Sequence, residues 1–320
     1  MRVLVTGMGG ELGTRVAQLL EARADVSEIV GCDMVPPRRR LRRSDFHRID
    51  PRDRDKLVEF ITEFAPDALV HYGVYEPDSR IGPREAAEMT EACTFATLGA
   101  AARAGRLERA VVRSGLEVYG RGPRLPQVPD ENAPLAPETP YGRTCLEVET
   151  AAADLRRSQE IPVAALRLAP VVGSHVPSPL GRLLRLPAVP VPALADPPFS
   201  LLQQDDAARA MVAALVRSVD GPLNVVGPGA ASPWQVVRLG NRIPIPVLGP
   251  GWTIACRAAE LAGAPVPPHV TELMCHGRTG DGSRANDLLG LGELTSTQAV
   301  CTELYDWGTV YPIADKRAVA

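Results

Sequence analysis

Gly7, Gly10 and Gly13, spaced GxxGxxG, follow directly on the apolar run Val3-Leu4-Val5. An unbroken run of that length suits a strand buried on both faces of a parallel sheet. Behind the glycines, Leu12, Val16, Leu19 and Leu20 fall on one face of a helix. Strand, glycine turn and helix in this order constrain the chain strongly. Gly7 permits the tight turn, Gly10 lets backbone approach a pyrophosphate, and Gly13 lets helix sit close on strand, while the helix N-terminus offers free N–H groups to phosphates. An acid at Asp33, closing the next apolar run Ile29-Val30-Gly31-Cys32, completes the context of a dinucleotide site.

Alternating strands and helices continue from there. The pattern predicts strands over Phe46–Asp50, Asp67–His71, Ala110–Ser114 and Val163–Leu168. Between them lie a helix bearing Leu57, Phe60, Ile61 and Phe64, an alanine-rich helix over 84–105 and a helix opened by Tyr141. Such alternation implies a parallel sheet with helices on both faces. The Pro-rich loop from Pro123 to Pro140 is long for a connector and is a candidate wall of the active site. Composition shifts near Val171 into a proline-rich stretch. A helix after Asp205-Asp206 then leads to a last core strand, Leu223–Val226, and short helices separated by Pro and Gly follow Ser232. Trp252 to Ala262 is too short for a membrane span and reads as a core helix.

A net charge of −3 argues against broad nucleic-acid binding. No apolar run approaches membrane-span length, and Met1 leads straight into the first strand, so a cytoplasmic protein is expected. Six cysteines stand far apart with no CxxC pair, which suggests neither zinc nor disulfides, and no metal site is expected. Of the 35 basic residues only Lys56 and Lys316 are lysine.

At the tip of the second strand Asp33 can accept from both ribose hydroxyls of an adenosine, which favours NAD over NADP. The arginine-rich run Arg38 to Arg43 leaves two readings open, a solvated loop or a guanidinium meeting a 2′-phosphate. Asp50, His71 and Gly73 end or follow strands at the edge where ligands collect, and they join the candidate cofactor residues. His71 reads either as catalytic or as a hydrogen-bonded structural histidine.

The order TGMGGELG, PDALVHYG, AVVRSGLEVYG, PYGRT, ALRLAPVVG, LLQQDDAARA and PLNVVG resembles the extended short-chain dehydrogenase/reductase family in its NAD-dependent epimerase/dehydratase branch, over roughly residues 1 to 230. The resemblance implies an α/β fold, a Rossmann-type doubly wound parallel sheet with a small C-terminal substrate lobe. Residues 1–172, with 205–230 returning, would form the cofactor domain, and 173–204 and 231–320 the lobe. It further implies bound NAD, a nucleotide-sugar or similar small-molecule substrate, and a homodimer built on the helices at 84–105 and 141–156.

In that family a tyrosine removes a hydroxyl proton while hydride passes to nicotinamide, a lysine four residues later lowers the tyrosine's pKa, and a serine or threonine orients the substrate. Carried over, the tyrosine is Tyr141, which also touches the cofactor, but the lysine position holds Cys145. Gly115 stands at the serine position with Ser114 beside it, and Pro170 and Thr90 replace two customary asparagines. A free tyrosine is ionised to only about one part in a thousand at neutral pH, and a cation near 4 Å is worth roughly 4 kcal/mol, about three pKa units. The missing lysine therefore matters most. Arg113 and Arg167 lie on strands within reach of the site, yet arginine cannot shuttle a proton. Cys145 reads as a nucleophile or, without a nearby base, as an inert thiol. Two functions follow: an NAD-dependent oxidoreductase using Tyr141 and Ser114, or a catalytically silent cofactor-binding sensor, scaffold or heteromer subunit.

Overall fold

The computed structural model describes residues 1–78, 81–121, 125–173 and 176–306. In chain order its strands are β1 (Arg2–Thr6), β2 (Glu28–Asp33), β3 (Ser44–Arg48), β4 (Ala68–His71), β5 (Arg109–Gly115), β6 (Val163–Leu168), β7 (Val171–Val172), β8 (Ala188–Pro192), β9 (Leu202–Gln203), β10 (Gly221–Val225) and β11 (Ile243–Val247). The helices of the first part are α1 (Glu11–Glu21), α2 (Arg54–Phe64), α3 (Pro83–Arg103), α4 (Pro140–Gln159), α5 (Pro179–Leu184) and α6 (Gln204–Val216). Those of the second are α7 (Pro233–Leu239), α8 (Gly251–Leu261), α9 (Pro268–His276), α10 (Ser283–Leu289) and α11 (Thr297–Asp306).

Seven strands form one parallel sheet in the order β10-β6-β5-β4-β1-β2-β3. The apolar runs earn the central places. Val3, Leu4 and Val5 are fully buried, each worth roughly 1.5–3 kcal/mol for its side chain. Helices α1 and α6 pack together against the sheet, while α2, α3 and α4 form a second packed layer. The strand order reverses between β1 and β4, and a crevice opens there beyond the carboxyl ends, at the switch point where ligands settle in such sheets. The fold is thus a Rossmann-type doubly wound sheet.

A second apolar cluster, including Val172, Leu184, Val191, Phe199, Val237, Met274 and Leu304, lies apart from the sheet's core. It covers the parallel ribbon β8–β11. Ile243 donates to Pro187 and Ala193 to Val247, so the N–H groups of β11 that point inward belong to the odd positions. Pro244 and Pro246 then occupy the outward ones, where a missing N–H keeps further strands from adding.

Two expectations need correction. The third strand begins at Ser44 and ends at Arg48, because its register on β2 (Ile29 beside Ser44, Asp33 beside Arg48) fixes an edge position with little burial to mark it. Helix α8 is a surface helix, with only Ala259 buried and Ile254 and Leu261 73% and 91% exposed. It lies on the thin ribbon β8–β11 and meets α9 through Cys256 and Thr271, so little more than Ala259 and part of Trp252 reaches the second apolar cluster. Nor is it long and apolar enough to cross a membrane, a property found in no helix among the described residues. The arginine run is a solvated loop, exposed at Arg38, Arg40, Arg42 and Arg43, that is also tied down: Arg43 donates to the carbonyls of Leu20, Glu21, Arg23 and Val26, and Arg39 to Glu11 at the start of α1.

Candidate active site

The glycine turn is built by close approach. Gly7 has φ +71°, a conformation glycine adopts freely, and a Cβ there would stand 2.8 Å from the Tyr72 backbone. A Cβ on Gly13 would stand 2.1 Å from the Gly7 carbonyl oxygen, so α1 presses directly on the turn. Gly10 differs: its imaginary Cβ finds only the Gly7 oxygen at 3.5 Å and otherwise open space. As N-cap of α1 it offers no side chain, which leaves the first N–H groups of the helix to a ligand.

These glycines line a cleft of about 230 Å³ with Asp33, Arg38, Tyr72, Tyr75 and Glu76. Asp33 accepts from the amides of Gly9 (3.1 Å) and Met34 (2.6 Å). Burial raises its pKa and these backbone donors pull the other way. Arg38 is held at the rim by its amide, which donates to Thr14 Oγ1. Glu11, buried at the start of α1, meets Arg39 at 3.1 Å and had no signal in the sequence pattern.

Not every candidate cofactor residue reaches this cleft. Asp50 turns to Arg52 (2.8 Å). His71 lies wholly inside, its Nδ1 2.7 Å from Thr6 Oγ1 and its Nε2 3.0 Å from Thr94 Oγ1, and burial lowers its pKa to about 4. That is the structural-histidine arrangement. Gly73 backs onto Cys93, whose Sγ would stand 2.4 Å from an added Cβ. Thr90 holds the same loop by accepting from the Tyr75 amide at 2.9 Å.

Next to the cleft, Tyr141 lines a smaller cavity of about 30 Å³, room for a water or two. The two share Glu76, Arg113, Val171 and Ser178. Thr139 caps α4 by accepting from Gly142, and Pro140 opens the first turn, which sets Tyr141 at the helix start facing β5. From β5, Arg113 donates through Nη1 to the Val74 carbonyl and through Nη2 to the Tyr141 hydroxyl, both at 3.1 Å. Burial pushes the Tyr141 hydroxyl well above its ordinary value, and Arg113 offsets this only in part. Cys145 is fully buried and burial drives its thiol up, so it is protonated and inert.

Ser114 lines the cavity, but its hydroxyl donates at 2.6 Å to Glu149, which also takes a bidentate pair from Arg167 at 2.7 and 2.9 Å. Arg167 thereby belongs to a buried structural network with Tyr119 rather than to Tyr141. Gly115 is explained by Glu117, whose Oε2 would lie 2.1 Å from a Cβ at that position. Two further groups come from outside the motifs. Glu76, in the loop after β4, meets His269 Nε2 at 3.0 Å, and the His269 ring lies 4.7 Å from that of Tyr141. The loop from Pro123 to Pro140 is not the expected wall: none of its described residues lines either cavity. Its backbone instead receives Asn224 and Thr279, and residues of α9 take the place it was expected to fill.

Fold and site together define a dinucleotide-cleft α/β protein with a buried tyrosine where the cleft narrows. The chain belongs to the NAD dependent epimerase/dehydratase family, whose profile matches residues 3–226. It is 29% identical over 339 aligned positions to an uncharacterized protein of Mycobacterium tuberculosis, covering 99% of this chain and 86% of that one. It is 32% identical to UDP-glucose 4-epimerase 4 of Oryza sativa subsp. japonica over 193 positions, 56% of this chain and 52% of the other. Among solved structures, UDP-glucose 4-epimerase of Thermotoga maritima with UDP-glucose superposes with a TM-score of 0.75 at 16% identity, covering 96% and 98% of the two chains. UDP-glucuronic acid 4-epimerase of Bacillus cereus with UDP-glucuronic acid and NAD gives 0.75 at 20%, with the same coverage. At these identities the structural likeness speaks for the fold.

Proposed function

We propose that this protein is a cytoplasmic NAD-dependent oxidoreductase of the epimerase/dehydratase kind, acting on a nucleotide-sugar or similar small polar substrate. The observation that carries the reading is the 3.1 Å hydrogen bond from Arg113 to the Tyr141 hydroxyl, in a cavity that shares Arg113 and Glu76 with the glycine cleft. It supports Arg113 as the cation that stands in for the lysine absent at Cys145.

The cleft fits the cofactor. Gly10 leaves bare backbone toward it, α1 begins without a side-chain cap, and Asp33 waits where an adenosine ribose would lie. Residues Gly7, Gly10 and Gly13 would hold the pyrophosphate and Asp33 the ribose, favouring NAD over NADP. The oxidised nicotinamide, when bound, supplies a hydride acceptor. Tyr141 positions the substrate carbinol, and Ser114, its own proton given to Glu149, accepts from a substrate hydroxyl. Residues 1–172 with 205–230 serve as the cofactor domain, and 173–204 with 231–320 as the lobe that selects substrate. A homodimer would use the outer groove of α3 and α4, where Phe95 is 56% exposed.

One observation favours the silent reading: the cavity past Tyr141 holds only about 30 Å³. Purified protein decides between them. Co-purified NAD, and reduction of it by UDP-glucose or UDP-glucuronic acid that is lost in Tyr141→Phe, is the expected result. Bound NAD with no turnover of either sugar nucleotide would favour the silent protein.

A further inference from the structure

Around the Tyr141 hydroxyl, the groups that stand at or near the family motif offer no ready proton acceptor. Cys145 is protonated, the Arg113 guanidinium cannot give up its own protons to make room, and the Tyr141 oxygen is already a hydrogen-bond acceptor for Arg113. Three observations converge on His269, in the first turn of α9. It is 4% exposed, it lines the cavity beside the Tyr141 ring, and its Nε2 stands 3.0 Å from Glu76 Oε1. Its other nitrogen, Nδ1, is buried with no partner among the described residues.

The chemistry of the pair fixes the protons. Burial works against the Glu76 charge, but the His269 bond and the nearby Arg113 outweigh it and keep the carboxyl below its usual range. An ionised carboxylate only accepts, so Nε2 carries a hydrogen, and in the neutral ring Nδ1 keeps a bare lone pair. A buried lone pair without a donor is costly unless a ligand supplies one. A carboxylate that fixes one imidazole nitrogen so that the other can take a proton is the logic of a triad base.

Resting on the function proposed above, we infer that Glu76 and His269 form the acid–base couple of this site, with His269 Nδ1 taking the hydroxyl proton of a substrate carbinol held beside Tyr141. The carbinol O–H bond breaks as an N–H bond forms on Nδ1, and Glu76 balances the imidazolium. The C–H electron pair leaves as hydride for the oxidised nicotinamide dinucleotide, so a carbonyl remains and two electrons are accounted for. Glu76 from the β4 loop, Arg113 from β5, Glu117 after β5 and Tyr141 from α4 are the ionisable neighbours that share the cavity with the ring.

Long-range ¹H–¹⁵N spectra of histidine-labelled protein test the couple without turnover, with His269→Phe assigning the signal and preserving a ring beside Tyr141. The expected result is the Nε2–H tautomer at neutral pH and a titration midpoint that falls in Glu76→Gln. With NAD⁺ and UDP-glucose as probes, His269→Phe should lower kcat about 100-fold or more with little change in KM. Glu76→Gln should lower it about tenfold and move the acid limb of the kcat profile. An Nδ1–H tautomer, a midpoint unmoved by Glu76→Gln, or an unchanged kcat in His269→Phe overturns the inference. Failure of wild type to bind NAD⁺ by calorimetry, or to turn over UDP-glucose once loaded, counts against the proposed function instead, and the tautomer spectra still decide the couple.

Discussion

Alanine at Gly10 and alanine at Gly13 should separate folding from cofactor binding. At Gly13 the new Cβ would stand 2.1 Å from the Gly7 oxygen, 2.7 Å from its carbon and 2.9 Å from Met8 Cα, all backbone. Ordinary contact requires the start of α1 to lift by roughly 1 Å, a distortion that costs about 1–3 kcal/mol. At Gly10 the backbone is extended (φ −69°, ψ 162°) and the nearest atom is 3.5 Å away, so alanine costs the fold less than about 1 kcal/mol. Its methyl nonetheless projects toward the cleft. Displacing one phosphate from one charged hydrogen bond is worth about 1.5–3 kcal/mol, roughly 10- to 150-fold in affinity. Calorimetric titration with NAD⁺, alongside urea unfolding, should therefore show Gly10→Ala stable but binding weakly, and Gly13→Ala impaired in both. Wild-type affinity in Gly10→Ala would refute the placement of the pyrophosphate.

Other outcomes are expected from the buried charges. Glu149→Gln strands the Arg167 guanidinium, which is only 2% exposed, and should cost about 3–5 kcal/mol by urea unfolding, with most of it recovered in the double variant with Arg167→Met. No loss in Glu149→Gln, or no recovery in the double variant, would deny the pair its structural role. His71, whose pKa falls from 6.5 to about 4 on folding, contributes stability that is complete above pH 6.5 and is lost as pH falls toward 4. About 2–3 kcal/mol of the acid loss between pH 7 and 4.5 should vanish in His71→Gln, and an unchanged slope would contradict the burial. Cys145 should resist a thiol reagent in the folded protein, and Cys145→Lys, which sets an ammonium in the buried helix near Arg113, should lower the melting temperature rather than raise activity.

The fold was legible because its main signals are local. A buried parallel strand announces itself by an unbroken apolar run, and Val163–Leu168 matches its predicted bounds for that reason. The edge strand Ser44–Arg48 alternates poorly and shifted by two residues, since only pairing with β2 sets its place. Helix α8 was misread because apolar composition cannot tell a core helix from one lying on a thin ribbon. At the site, the glycines and Asp33 were proposed from spacing and Ser114 and Tyr141 from the family resemblance, and the glycines with Asp33 line one cavity while Ser114 and Tyr141 line the other. Arg113 was visible as one of two strand arginines, and choosing it over Arg167 required knowing that Glu149 claims the other. His269 carried no signal, because it lies in α9, far along the chain from the motifs, as a lone histidine after two prolines.

The departures at 115 and 145 read, together with Arg113 and Glu117, as one coupled arrangement rather than as separate losses. A serine at position 115 would push the Glu117 carboxylate aside, so Gly115 leaves that acid the place it now holds in the cavity. A cation delivered from α4 at position 145 would sit near the guanidinium that β5 already sends to Tyr141, so the small uncharged Cys145 is the condition for Arg113. Moving the cation from helix to strand exchanges a group that can release a proton for one that cannot. A site rebuilt in this way keeps the electrostatic support of the tyrosine but must find its proton acceptor elsewhere, and the only buried lone pair on a ring nitrogen left without a partner among the described residues is Nδ1 of His269.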